Sequence, residues 1–433
     1  MVKKLLTLAL IAAILLVGSA VIALEESPAD PAEGSSAYQE LQLFTDVLTI
    51  VKRSYVEEVD MKDLIYGAID GMLASLDPHS GFMSPDIYKE MKVDTRGEFG
   101  GLGIEISSRD GLLTIVAPIE DTPAARAGLQ AGDQILKIED QFTKDLEIME
   151  AVHLMRGAPG TEITITIMRD TFEKPQPFTL VREVIQVKSV KAKILEPGFG
   201  YVRVAQFQER TGADLSKALD RLREENGDEL QGLVLDLRNN PGGLLDQAVD
   251  VSDQFLDDGL IVYTQGREDD AQMEFSAMRG GTEPDYAIVV LINGGSASAS
   301  EIVAGALQDH KRAVVMGTRS FGKGSVQTII PLSDDSGLRL TTAKYYTPNG
   351  RSIQALGIVP DIEVPQSEIK EVAAGNNFRE KDLKNHFVTE GGAAQEKTVP
   401  QVELDENVRK DYQLMRALDL LKGWQIFQVL QAA

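Results

Sequence analysis

Cysteine is absent from the 433 residues. That removes a cysteine nucleophile, thiolate metal sites, disulfides and a lipidated N-terminal cysteine. It does not fix a compartment, because many exported proteins dispense with disulfides. Histidine is scarce: His79, His153, His310 and His386 are the four in the chain. A histidine-rich metal site is therefore not expected, and a nucleophilic serine would need a different base. Positive charge is in deficit as well, with 43 Lys and Arg against 67 Asp and Glu and a net charge of -24. Nucleic-acid binding needs clustered cations to meet phosphates, so a nucleic-acid partner is not expected. Beyond the first 24 residues, no stretch is apolar enough to span a bilayer.

Those first residues are distinctive. Lys3 and Lys4 precede an apolar run from Leu5 to Leu24, with Gly18, Ser19, Ala20 and Ala23 near its end. This is the pattern of an export signal cut after Ala20 or Ala23, or of an uncleaved inner-membrane anchor. Either way the chain is expected to be exported, to the periplasm or another extracytoplasmic space. An acidic, Pro- and Ser-containing tether follows at 25–37. Residues 38–90 read as helical: Phe44, Val47, Leu48, Val51 and Tyr55 recur at three and four, then Leu64, Ala68, Met72 and Leu76, until Asp77-Pro78-His79-Ser80-Gly81 breaks the pattern.

Residues 95–185 read as a β-rich unit, where Ile163, Ile165 and Ile167 alternate in a strand and a helix runs over about 146–156. Residues 190–365 alternate strand and helix, with strands at Tyr201–Phe207, Leu233–Leu237, Ile288–Ile292 and Ala313–Met316 and helices at about 212–226, 243–256 and 298–310. That is an α/β core with crossover connections. The region 366–433 begins polar and mobile and ends in a helix over about 404–430 whose apolar face needs a partner.

Two segments carry chemistry. Asn293-Gly294-Gly295-Ser296-Ala297-Ser298-Ala299-Ser300-Glu301 follows an apolar strand and opens a helix. A serine at such a turn is exposed, and neighbouring amides at the helix start can stabilise an oxyanion. Ser298-x-x-Glu301 is equally a capping box, which requires no catalysis. The second segment is Phe321-Gly322-Lys323-Gly324-Ser325-Val326-Gln327. Desolvation lowers a lysine's affinity for its proton, so a lysine in an apolar neighbourhood can serve as a base. The alternatives are a surface lysine or a phosphate-binding one, although the full P-loop pattern is missing.

Together these segments resemble the C-terminal processing (tail-specific) serine peptidases. Lys323 follows Ser298 by 25 residues, Asp236-Leu237-Arg238-Asn239-Asn240-Pro241-Gly242-Gly243 stands upstream, and Tyr345-Tyr346-Thr347-Pro348-Asn349-Gly350-Arg351 stands downstream. The resemblance implies Ser298 as nucleophile, Lys323 as general base and Gln327 as the residue that orients the lysine. It implies an oxyanion hole from the amide of Ala299 and a loop glycine, Gly243 in preference to Gly242. Ser296, Ser300, His310 and Glu301 are expected to be structural, and Asp236 to support its loop.

Gly100-Gly101-Leu102-Gly103-Ile104, with Pro123-Ala124-Ala125-Arg126-Ala127-Gly128-Leu129 and Ala131-Gly132-Asp133-Gln134-Ile135-Leu136, resembles a PDZ domain. Gly101, Leu102, Gly103 and Ile104 would then hold a substrate's terminal carboxylate. Arg156 and Arg169 are candidates for coupling a bound tail to the active site. The implied fold is a crotonase-like (ClpP-like) α/β core with an inserted PDZ domain and helical ends that mediate a homodimer or higher oligomer. The implied activity is an endopeptidase that needs no metal or cofactor and acts on proteins with apolar C-terminal tails, with an adaptor protein as a further candidate partner. The competing reading is a non-catalytic PDZ scaffold. A trypsin-like site would need Gly-Asn-Ser-Gly-Gly, which is absent, and a penicillin-binding enzyme would need Ser-x-x-Lys and Lys-Thr-Gly, whereas Ser298 is followed at that spacing by Glu301.

Overall fold

The runs GLVLD and AIVVLI are apolar at successive positions instead of alternate ones, the pattern of strands covered on both faces. A computed structural model describes residues 31–109, 111–144, 146–227, 229–267, 272–367, 383–385 and 405–432. It divides into two units, Met1–Leu76 and Asp77–Ala433.

In the first unit, helix α1 spans Pro31–Ser54 and α2 spans Met61–Ala74. Residues 31–37, expected to belong to a tether, are helical and lie in α1. Asp60 caps α2 by accepting the Lys62 amide at 2.6 Å. The expected leader at 1–24 and most of 366–402 lie outside the described residues. Among the described residues no helix is long and apolar enough to cross a membrane.

The second unit opens with strand β1 (Gly81–Met83), helix α3 (Pro85–Arg96) and strand β2 (Glu98–Gly101). A β-rich segment follows: β3 (Ile104–Arg109), β4 (Leu112–Pro118), a short helix α4 (Pro123–Arg126), β5 (Gln134–Ile138), β6 (Gln141–Phe142), α5 (Ile148–Met155), β7 (Glu162–Met168) and β8 (Gln176–Val181). Its sheet runs β3-β4-β5-β7-β8, leaving β3 at an edge. In β7 the residues Ile163, Ile165 and Ile167 all point into a core shared with Leu113, Ile115 and Ala151. Strand β9 (Glu183–Gln186) then returns antiparallel to β2.

The remaining elements are β10 (Val190–Glu196), β11 (Phe199–Val204), α6 (Thr211–Asn226), β12 (Gly232–Asp236), α7 (Leu245–Asp253), β13 (Leu260–Gln265), β14 (Met273–Ser276), β15 (Ala287–Ile292), α8 (Ala299–Asp309), β16 (Val314–Gly317), β17 (Ser325–Pro331), β18 (Gly337–Tyr346), β19 (Ile362–Glu363), α9 (Glu406–Lys410) and α10 (Tyr412–Ala432). The central sheet is ordered β10-β11-β12-β15-β16-β19, parallel except for β10. On one face Leu233, Leu235, Ile288 and Val290 meet α6, α7 and α8; on the other Val234, Val289 and Leu291 meet Leu414, Leu418 and Leu421 of α10. Burial on both faces explains the continuous apolar runs. A second sheet is ordered β1-β18-β13-β14, with β17 beside β18.

The expected single helix over 404–430 is two helices. Asp411 leaves the helical region (φ -82, ψ 93) because its carboxylate is held by Arg238, at 2.9 and 2.6 Å.

Candidate active site

Parallel strands deliver their carboxyl ends to one edge of a sheet, and loops there carry function. The ends of β12 and β15 are stitched together by small polar side chains. Ser296 Oγ donates to the Leu237 carbonyl at 2.7 Å and accepts the Asn293 amide at 3.0 Å. Ser300 Oγ donates to the Asn240 carbonyl at 2.9 Å, and Asn293 Oδ1 accepts the Asn239 amide at 2.9 Å. Asn240, fully buried, donates to the Val204 carbonyl and accepts the Gly242 amide at 2.9 Å.

At the junction of this framework with α8 stands Ser298, with φ 54 and ψ -112. A side-chain-bearing residue in that region stores about 1–3 kcal/mol of strain, which the surrounding bonds must hold. Gly242 lies against it: a Cβ there would come within 2.8 Å of Ser298 Cβ and 3.0 Å of the Ala299 nitrogen. Only glycine lets the loop approach this closely, at φ +101. The Gly242 amide is engaged by Asn240, so of the two loop glycines Gly243 is the better placed to offer its N–H. Ala299 is the first residue of α8, where the amide has no intrahelical acceptor.

Glu301 is fully buried and binds four donors. Its Oε2 accepts the Ser298 amide at 2.8 Å and the Lys323 amide at 2.9 Å; its Oε1 accepts the Gly322 amide at 2.7 Å and Ser320 Oγ at 2.6 Å. Beyond capping α8, it joins the serine segment to the lysine segment. Phe321 adds a backbone bond to the Ser296 carbonyl at 3.0 Å. Gly324, next after the lysine, makes room for backbone: a Cβ there would stand 2.3 Å from the Gln354 nitrogen.

Lys323 is half-buried. Burial, and then the nearby Arg339 guanidinium, hold its ammonium below the ordinary lysine range. His79 lies close enough to feel the charge on Lys323; burial first, then Lys323, lower its proton affinity against the pull of Asp77. Gln327 is carried on β17, where a register shift between Val326 and Gln327 re-aims its side chain toward Thr341 of β18. Its Nε2 donates to Thr341 Oγ1 at 2.9 Å and Ser325 Oγ at 3.2 Å.

In the β-rich segment a groove of about 130 Å³ runs between the β3 edge and α5. Gly101, Leu102, Gly103 and Ile104 lie along one side, and Val152, Met155 and Arg156 along the other. An edge strand facing a helix across an apolar slot is the geometry that takes up an extended peptide as an added strand.

Comparison with known proteins settles the family. The profile described as "Peptidase family S41" matches residues 198–364, that of a PDZ domain matches 100–175, and that of the "Activating protease CtpB N-terminal domain" matches 16–87. A carboxy-terminal-processing protease of Bartonella bacilliformis is 48% identical over 394 residues, covering 90% of this chain and 89% of its own. A carboxyl-terminal-processing protease of Synechocystis is 41% identical, covering 73% of this chain and 75% of its own. The chain belongs to the carboxyl-terminal-processing serine proteases of family S41. A solved photosystem II D1 C-terminal processing protease is 30% identical and covers 75% of this chain and 92% of that chain, with a TM-score of 0.43.

In this protease the serines flanking Ser298 are framework residues, bonded as above, and His310 is tied by Nε2 to the Leu260 carbonyl at 2.7 Å. Asp236 is fully buried among Tyr201, Arg203 and Arg238 beneath the glycine loop. Arg169 is bound within the PDZ domain, to Asp133 at 2.6 and 2.7 Å and the Gly128 carbonyl at 2.9 Å. Arg156 stacks on the Phe99 ring at 4.8 Å and faces Glu90 of α3 at 3.9 Å, so of the two arginines it is the one at the groove. Sequence reasoning missed Glu301 as the link between the two segments, and missed Asp77, His79 and Thr341 altogether. The Asp-Pro-His-Ser run was visible, but only as a helix breaker.

Proposed function

We propose that Ser298 is the nucleophile of this protease, Lys323 its general base and acid, and Gln327 the residue that orients Lys323. The reading rests on one observation above the rest: a single oxygen of buried Glu301 holds the amides of both Ser298 and Lys323. The depressed proton affinity of Lys323 supports it, since a lysine base must be neutral to act.

The step balances without a cofactor. Ser298 Oγ attacks the scissile carbonyl carbon and passes its proton to Lys323 Nζ. The carbonyl oxygen becomes an oxyanion, met by the amides of Ala299 and Gly243. As the C–N bond breaks, Lys323 returns the proton to the departing amine, leaving an ester on Ser298. Water then attacks the ester, gives a proton to Lys323, and the C–O bond to Ser298 breaks with that proton restored to Oγ.

The PDZ groove selects the substrate. Backbone amides at Gly101–Ile104 take the terminal carboxylate, β3 pairs with the tail, and the slot beside Ile106 and Met155 takes an apolar side chain. Substrates are proteins with apolar C-terminal tails, met outside the cytoplasm after export. Exposed apolar side chains on α1 (Leu41, Phe44, Val47) and on α10 (Trp424, Phe427, Leu430) support homo-oligomer formation, and an adaptor that presents substrates fits the same scheme.

Purified enzyme should cleave an unstructured protein ending in apolar residues, and Ser298→Ala and Lys323→Ala should each abolish it. Undiminished cleavage by Ser298→Ala would remove Ser298 from the reaction and overturn the assignment.

A further inference from the structure

A side-chain amide can orient a lysine only if its oxygen, and not its nitrogen, faces the amine. The two ends are alike in shape, so something must decide between them. At Gln327 the deciding groups lie on strand β18 and in the loop before β1.

Thr341 stands directly opposite Gln327 in the β17–β18 register. Its hydroxyl donates to Asp77 Oδ1 at 3.1 Å. A carboxylate accepts only, so it fixes the direction of that bond. With its one proton committed, Thr341 Oγ1 has only lone pairs left for Gln327, and the atom facing it at 2.9 Å is Nε2. Gln327 Oε1 is thereby turned the other way. It is buried and has no hydrogen-bond partner among the described residues. An amide oxygen left buried and unpaired costs free energy unless a donor comes to it.

Asp77 is itself firmly placed. Its carboxylate accepts the amides of His79 and Ser80 at 2.8 and 2.9 Å and Ser80 Oγ at 2.7 Å. Ser80 Oγ in turn accepts the Thr341 amide at 3.1 Å, and β1, which follows the loop, pairs with the start of β18. We propose that Asp77 and Thr341 are positioning residues that lock the Gln327 amide with Oε1 presented to the Lys323 amine. The proposal rests on the roles assigned above to Lys323 and Gln327, and adds what makes Gln327 effective. The hydrogen bond from Ser80, and then those from the loop amides and Thr341, hold the Asp77 carboxyl down at about 2, so it remains an acceptor at any pH where the enzyme works.

The charged groups around Lys323 are Asp77 and His79 from the loop before β1, Arg339 of β18, and Glu301 of α8. Rates are therefore compared on the alkaline plateau, where Lys323 is neutral and shifts in its titration drop out. Thr341→Val and Asp77→Ala should each lower kcat about tenfold at unchanged KM, the value of one well-placed hydrogen bond. Thr341→Ser, which keeps the hydroxyl, should restore kcat. In a Gln327→Ala background neither substitution should lower kcat further, because the residue they act through is gone. Thr341→Ala provides the same comparison if the valine variant fails to fold.

Wild-type kcat in Thr341→Val, or equal losses in both backgrounds, would overturn the proposal. The failure of the parent reading looks different: there Gln327→Ala itself keeps wild-type kcat.

Discussion

The amides of Ser298 and Lys323, 25 positions apart in sequence, converge on one oxygen of Glu301, at 2.8 and 2.9 Å. A carboxylate suits this place because every neighbour is a donor and it has nothing to donate. Two further donors, from Gly322 and Ser320, complete its shell inside a fully buried site. Glu301→Gln would turn an NH2 group toward amides and leave donors unpaired. Each such lost charge-assisted bond costs about 1.5–3 kcal/mol, so both the urea midpoint and kcat should fall. Retention of wild-type values in both measurements would contradict the linking role.

If Lys323 is the general base proposed above, its protonation sets the pH profile. Its ammonium is disfavoured by burial and then by Arg339, so the active neutral form appears below the ordinary lysine value of 10.5. The rate should rise with pH through that depressed value and then level off. Arg339→Gln removes a positive neighbour, raises the proton affinity of Lys323 and should move the rising limb to higher pH. Arg339→Lys keeps the charge and should leave the limb in place. An unmoved limb in Arg339→Gln would mean that Lys323 does not govern it.

Beneath the glycine loop, Arg238 bridges buried Asp236 and Asp411 of the C-terminal helical segment. Arg238→Ala leaves the Asp236 carboxylate in the interior with weaker support and should cost about 3–5 kcal/mol in urea unfolding. Asp411 also leaves a pH signature. Burial alone would raise its carboxyl, but Arg238 outweighs burial and holds it below the usual 3.8. A carboxyl depressed by folding contributes stability that is present above 3.8 and lost as pH falls through its folded value. Asp411→Asn should therefore flatten the stability profile below about pH 4.

The PDZ groove should discriminate by chemistry at the tail. A fluorescent peptide with an apolar C-terminus and a free carboxylate should bind; its C-terminal amide should bind about tenfold or more weakly, because the loop amides then lose a charged acceptor. Val152→Asp, which puts a charge in the slot, should weaken binding to a similar degree while Ser298 chemistry on a short peptide persists. Equal affinity for acid and amide would rule out carboxylate capture.

Much of the core was legible because it is local. Parallel strands buried on both faces announce themselves as apolar runs, and Ser298 and Lys323 lie in short segments whose glycines and small residues are unusual by themselves. The linking residues were not legible. Glu301 looked like a cap, and it is one, but its bonds to Gly322 and Lys323 depend on how two loops close in space. Asp77 and Thr341 are 264 positions apart and meet only because β1 pairs with β18. The break at Asp411 had no local signal either, since it is imposed by an arginine 173 positions away.

The PDZ domain is entered along β2 and left along β9, and these two strands are paired from Glu98↔Gln186 to Gly101↔Glu183. Its two covalent attachments are therefore neighbours. An insertion whose ends meet in this way leaves the host chain no gap to span when it is exchanged or removed, since a tight turn between residues 101 and 183 would close the ribbon. Tail preference could change by substitution of this one cassette, with the Glu301-centred chemistry left as it stands.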